Sequence, residues 1–301
     1  MTRPAPRSID QYLAQLRDSL RGEDPALVQD ALYDAEEYLR AEVAQHPGKS
    51  EADVLEIIAS TYGAPAEVAD AYRTTEATVR AATKPMAPPE HRTALGRFFG
   101  VYADSRAWMA LFYMLLSLAL GIFYFTVAVT GLSMSAGLAI LIVGVPFFLL
   151  FIGLTRVLSL VEGRIVEGLL GVRMPRRPVR SARGLSFLTR IKEMLTDGRT
   201  WTTILYMVLM LPLGVAYFAV AITGTALGIG LTAAPFAALY GALFNSTFGV
   251  QIDGEILPWF ATIPIALVGV LVLTTMLHLA RGVGGVHGRI AKALLVSRDG
   301  E

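Results

Sequence analysis

Two stretches of this chain, 107–155 and 200–252, contain no Asp, Glu, Lys or Arg. Runs so long and apolar can satisfy their backbone polar groups inside lipid only as helices or as a closed barrel. About 20 apolar residues cross a hydrocarbon core of roughly 30 Å as a helix, so each stretch is long enough for a hairpin. Spans are expected near 107–130, 136–155, 201–224 and 257–280. The mean hydropathy of +0.52, with 54% hydrophobic and 17% charged residues, is too apolar for an ordinary soluble domain. The chain reads as an all-α integral membrane protein.

The two stretches are also copies of each other. Slid 93 positions, 16 of the 35 residues in the window Arg97 to Gly131 are identical to their partners, among them Asp104/Asp197, Arg106/Arg199, Trp108/Trp201, Tyr113/Tyr206, Gly121/Gly214 and Tyr124/Tyr217. A second match, 125 positions apart, pairs Arg156 with Arg281 and Gly163-Arg164-Ile165 with Gly288-Arg289-Ile290. The pattern predicts two tandem helical hairpins, 97–171 and 190–296.

Basic residues set the expected orientation, since Lys and Arg beside a span resist translocation. Ten lie in 156–199, and others precede the first span and follow the last. The loops at 132–135 and 225–256 carry none. Both ends should therefore be cytoplasmic, with an even number of crossings and both hairpins starting on the arginine side. Under that rule the apolar run 226–244, interrupted by Gly228, Gly230, Pro235 and Gly241, is expected as a re-entrant or interface-lying helix on the outer face. Trp108 and Trp201 should mark the inner boundary and Trp259 the outer.

Residues 8–80 form a separate unit. Ile9, Tyr12, Leu13, Leu16 and Leu20 fall on one helical face. Asp24-Pro25 signals a second helix running to about Gln45. Ser50 to Asp53 resembles a capping box, Gly63 a helix stop, and Pro65 the start of a last helix. A small helical bundle results, and no stretch here suits a signal peptide, so it should stay in the cytoplasm. It holds 8 basic and 15 acidic residues, a net of −7, against +8 for the remainder. That asymmetry fits either a solvated acidic surface or reversible docking on the basic loop between the hairpins. Residues 81–96, with Pro85, Pro88 and Pro89, read as a linker.

Asp10-Gln11-Tyr12-Leu13, the acidic Asp34 to Tyr38 and Tyr62-Gly63-Ala64-Pro65 resemble the HAAS signalling domain, a helical module linked to PadR-type transcriptional regulators or fused to membrane domains. Residues 97–296 resemble the sensor domain of bacterial signalling proteins, a four-span module often placed before histidine kinases. Leu211-Pro212-Leu213-Gly214-x-x-Tyr217-Phe218, its counterpart Leu118 to Phe125, and Gly163-Arg164-Ile165 carry that likeness. The first copy departs from it at Ala119, where the second has Pro212. No kinase portion follows Leu295. The resemblance thus implies a bacterial inner-membrane protein relaying a membrane or envelope signal to a cytoplasmic partner bound by 8–80, a PadR-type regulator being the implied one. The contrasting class is a small transporter or permease-associated subunit.

Side chains offer little for catalysis. The four histidines show no metal spacing, no glycine loop suits a phosphate, and the absence of cysteine excludes thiolate chemistry. No enzyme activity, cofactor, metal or direct nucleic-acid contact is expected. Membrane lipids are the expected small partners, and the spans could associate as a homo-oligomer. His278 stands out as the ionisable residue within a predicted span, near its cytoplasmic end. Gly121, Tyr124 and Phe125, with Gly214, Tyr217 and Phe218, are candidates for helix packing or for an amphiphile pocket between hairpins. Arg106, Trp108, Arg199 and Trp201, with Arg164 and Arg289, are candidate anchors at the headgroups. Asp104 and Asp197 are expected either to cap their helices or to pair with Arg164 or Arg289.

Overall fold

The computed structural model describes residues 5–83, 93–138, 144–177, 196–244, 249–252 and 255–296. Most of the linker, the tip of the first hairpin and the basic residues Arg180, Arg183, Arg190 and Lys192 lie outside them. The fold is all-helical apart from a two-residue antiparallel ladder, Gln251–Ile252 against Glu255–Ile256.

The amino-terminal unit is a four-helix bundle: α1 (Ile9–Ser19), α2 (Pro25–Gln45), α3 (Glu51–Ala59) and α4 (Pro65–Thr83). Each start has a local cause. Ser8 accepts from the Gln11 amide, Asp24 from the Ala26 amide ahead of Pro25, and Ser50 and Asp53 cap each other reciprocally. These contacts satisfy amide groups that a helix start leaves unpaired. Gly63, at φ 101°, adopts the left-handed conformation that ends the third helical segment, and its carbonyl accepts the Tyr12 hydroxyl at 2.8 Å. Leu13, Leu16, Leu20, Leu39 and Val54 fill the core.

Tyrosines complete that core. Tyr38 stacks on Tyr62 at 4.3 Å, and the Tyr72 hydroxyl donates to Asp34 at 3.1 Å. Burial pushes the Tyr62 phenol up to about 12, and those of Tyr12 and Tyr72 higher still. An unfolded chain sheds these protons near the ordinary 10.0, whereas the fold holds them. Stability conferred by the buried phenols is therefore intact below pH 10 and lost as pH rises through about 12. Circular dichroism of the full chain should show a cooperative loss of helix over that range. Helicity unchanged above that range would contradict this account.

Four long helices make the second unit. After α5 (Ala94–Phe99) and a 3-10 turn come α6 (Ser105–Leu138), α7 (Gly144–Leu170), α8 (Gly198–Phe244) and α9 (Ile263–Leu295). Three described segments are long and apolar enough to cross a membrane: Ser105–Leu138, Gly198–Phe244 and Trp259–Leu295. These make the chain a membrane protein. The second predicted span, 136–155, falls partly outside the described residues.

Three expectations are corrected. First, α6 continues through 132–135, so the hairpin turn lies later, at 139–143, among residues not described. Second, 226–244 is not a broken re-entrant segment but the continuation of α8, whose 47 residues make a rod roughly 70 Å long. Its glycines are packing positions rather than breaks, because Gly228 receives Leu273 of α9, and Thr232 abuts Gly269.

Third, the hairpins are not side by side with a common starting face. Gly224 lies beside Met276, Gly228 beside Leu273 and Thr232 beside Gly269, so α8 and α9 are antiparallel. Ala110 lies beside Gly284 and Tyr113 beside His287, so α6 and α9 are parallel. Hence α6 and α8 are antiparallel, and Ser105 and Gly198 start at opposite ends of the four-helix unit. Charge counting along the chain carries the assumption that the axis of similarity runs along the helices; the interhelical contacts place it across them.

Candidate functional site

Where α6 meets α8, backbones touch. A side chain at Gly121 would strike the Met210 carbonyl, and one at Gly214 the Ser117 carbonyl. Met210 is 93 positions after Ser117, so the two contacts are reciprocal. Both candidate glycines therefore act in packing. Small residues are what allow such approach between membrane helices.

This close approach brings five polar side chains from all four helices together. Glu162 of α7, 1% exposed, accepts three phenols: Tyr113 and Tyr206 on Oε1 at 2.8 and 2.7 Å, and Tyr124 on Oε2 at 2.9 Å. His287 of α9, fully buried, places Nε2 2.6 Å from the Tyr113 hydroxyl and 3.1 Å from that of Tyr206. Tyr217 meets the imidazole edge-on, with centroids 5.5 Å apart.

Counting protons fixes one arrangement that leaves few groups unpaired. As a carboxylate Glu162 accepts all three hydroxyls, and Nε2–H of His287 then donates to the Tyr113 oxygen. The remaining ring nitrogen, Nδ1, is buried without a partner, which is tolerable for a bare acceptor and costly for an N–H. A proton added to Glu162 would need a phenol oxygen to accept it. That phenol would have to turn its hydrogen to Nε2, forcing the imidazole proton onto the orphaned Nδ1. The cluster is thus satisfied in one charge state and frustrated in the other.

Its members are related in sequence. Tyr113 and Tyr206 are 93 positions apart, as are Tyr124 and Tyr217, while Glu162 and His287 are 125 apart. The last pair immediately precedes the matched Gly-Arg-Ile motifs, yet sequence reasoning misses it because an acid and a base do not score as identities. His278, which the sequence singles out instead, is a half-buried side chain whose Nε2 meets the Phe98 carbonyl at 2.9 Å. Phe125 and Phe218 are half-buried and stand outside the cluster.

Two ion pairs follow the same relation. Arg281 meets Asp104 at 3.2 Å and Arg156 meets Asp197 at 3.5 Å, so the aspartates pair with these arginines rather than with Arg164 or Arg289. They also cap, accepting the amides of Arg106 and Arg199. Arg164 instead meets Glu167 at 3.3 Å, and Arg106 and Arg289 are exposed. Trp108 and Trp201 are 48% and 47% exposed, consistent with anchoring.

The acidic bundle sits against the ends of the helices that carry the cluster. Asp30 accepts the amides of Arg176 and Arg177 at 2.7 and 2.8 Å and the Arg173 guanidinium at 3.1 Å. Arg173 also meets Glu76 at 3.0 Å, Arg177 meets Asp34 at 2.7 Å, and Lys292 meets Asp24 at 2.5 Å. Arg199 donates to Gln29 at 2.9 Å. Burial pushes the Asp30 carboxyl above its ordinary range, against the pull of the two amides and Arg173.

A family model described as a putative sensor matches residues 113–295. That span opens on Tyr113 and contains the whole cluster. No curated protein and no solved structure matches the chain. With more than half of its 301 residues matched, the chain belongs to the putative sensor family.

Proposed function

We propose that the protein is a membrane sensor whose output is the availability of its acidic bundle to a cytoplasmic partner. The observation that carries this reading is the latch. Bundle residues Asp24, Asp30, Asp34 and Glu76 are held by Arg173, Arg177 and Lys292, which follow Glu162 on α7 and His287 on α9 by only a few turns of chain. A stimulus that repacks the four helices around the cluster moves the latch arginines and lysine, and the bundle is released. The stimulus must bind the released state better, since equal affinity for both shifts nothing. The duplicated hairpin fits this role, because reciprocal contacts make the helix crossing a single shared element. The likeness of 8–75 to the HAAS domain supports a PadR-type regulator as partner.

Arg173→Glu tests the latch. Its side chain is 12% exposed and that of Asp30 7%, and reversing one member of so buried a pair costs about 3–5 kcal/mol. That cost shifts docking by more than about a hundredfold. Hydrogen exchange around Asp30 should rise sharply in the variant, and a regulator encoded beside the gene should be captured more strongly by it than by the parent chain. Unchanged exchange would dismiss the latch; faster exchange with no gain in capture would dismiss the bundle as the output.

A further inference from the structure

An open cleft of about 340 Å³ lies between α7 and the start of α8, lined by Arg156, Ser159, Asp197, Arg199, Thr200 and Thr203. We infer that it binds a net-anionic phosphate headgroup, and that the occupant competes with Gln29 of the bundle for Arg199. This inference rests on the sensor reading, to which it adds the input.

Charge is the first argument. Two guanidiniums face one carboxylate, and Arg156 meets Asp197 at only 3.5 Å, with the aspartate side chain 30% exposed. The sequence-related pair at the other end, Arg281 with Asp104, is closed at 3.2 Å with the aspartate 11% exposed. One of two equivalent positions is thus opened, and it is the one touching the bundle. Arginine forks suit phosphate oxygens through paired charge-assisted hydrogen bonds.

Position is the second. Trp201, half exposed, stands two residues from Arg199, at the depth where indoles meet headgroups. The same two helices expose Val157 and Val161, and Leu205 and Leu209, apolar surface for an acyl chain. Ser159 and Thr203 also border a deeper recess lined by Tyr124, Glu162 and Tyr206 that has no room for a water molecule. The cleft therefore ends on the cluster without opening it. An anion drawing Arg199 toward Arg156 takes it from the Gln29 carbonyl oxygen, and one strut of the latch is lost.

The test uses the full chain in nanodiscs. Native mass spectrometry should show retained phosphatidylglycerol in the parent, at least about tenfold less in Arg156→Gln/Arg199→Gln, and parent-like retention in Arg156→Lys/Arg199→Lys and in Arg106→Gln, which removes a charge at the far end. Hydrogen exchange around Gln29 should rise in phosphatidylglycerol relative to phosphatidylcholine. If inorganic phosphate added to phosphatidylcholine discs has the same effect, beyond chloride of equal ionic strength, the anion is soluble rather than lipid-borne. Equal lipid loss in Arg106→Gln, or no loss in the double glutamine variant, overturns the site. Retention without a change in exchange overturns the competition. Lipid retention is read independently of any regulator, so failure of the site and failure of the bundle's output are distinguishable.

Discussion

Glu162→Ala should destabilise the membrane unit by about 3–5 kcal/mol, because it strands three buried phenols and a histidine built around one carboxylate. Tyr113, Tyr124 and Tyr206 are each no more than 2% exposed, so no bulk water replaces the lost acceptor, and each orphaned hydroxyl costs about 1–3 kcal/mol. Removing a buried charge recovers part of that, which is why the total is less than the sum. For a domain of this size the melting temperature should fall by roughly 10 °C. Glu162→Gln separates shape from charge. Its oxygen can still take Tyr113 and Tyr206, and its amide can donate to the Tyr124 oxygen once that hydroxyl turns away, so about 1–2 kcal/mol is expected. Melting of the detergent-solubilised full chain decides the matter. If the alanine variant melts with the parent, the cluster is not what joins the four helices.

That cluster is only half visible in the sequence. Tyr124 and Tyr217 are legible because identical residues recur at one spacing, and the apolar setting makes them conspicuous. Glu162 and His287 are not, for two physical reasons. They sit past the uncharged part of their helices, where a charge-free window ends, and so read as juxtamembrane surface on helices lying at the headgroups. They also differ from each other, although a buried acid needs donors around it and two identical carboxylates in one pocket would repel. The asymmetry that hides them is what makes the pocket satisfiable.

The bundle is more legible, since its starts and stops are local: Asp24-Pro25, the Ser50 and Asp53 box, and Gly63 each act within a turn of chain. Its docking is visible as a difference in net charge but not as a geometry, because nothing local tells Asp30 that the amides of Arg176 and Arg177 will face it. Helix direction is the hardest feature. Reciprocal identities specify that Gly121 and Gly214 perform the same task. They do not say whether the axis relating them runs along the helices or across them, and only the contacts made by Met210 and Ser117 decide.

Those contacts carry the largest expected effect of all. Gly121→Val or Gly214→Val should each cost about 3 kcal/mol or more, or prevent assembly, since the atom met by the new side chain is a carbonyl of the facing backbone and cannot rotate aside. Accommodating it means moving α6 from α8, which pulls Tyr113 and Tyr124 away from Tyr206 and opens the cluster from the other side. Because the two glycines face each other's helix across one crossing, separation caused by the first already makes room for the second. The double variant should therefore cost much less than the sum of the singles. Gly168 provides the contrast: it is helical and exposed, and a methyl group on its Cα would meet nothing within 4 Å, so Gly168→Ala should stabilise by about 0.5–1 kcal/mol through backbone entropy alone. Melting curves of the four variants give the answer. Parent-like stability of Gly121→Val, or strict additivity in the double variant, would mean that α6 and α8 do not cross at these glycines, and the pairing of Glu162 with Tyr206 would fall with it.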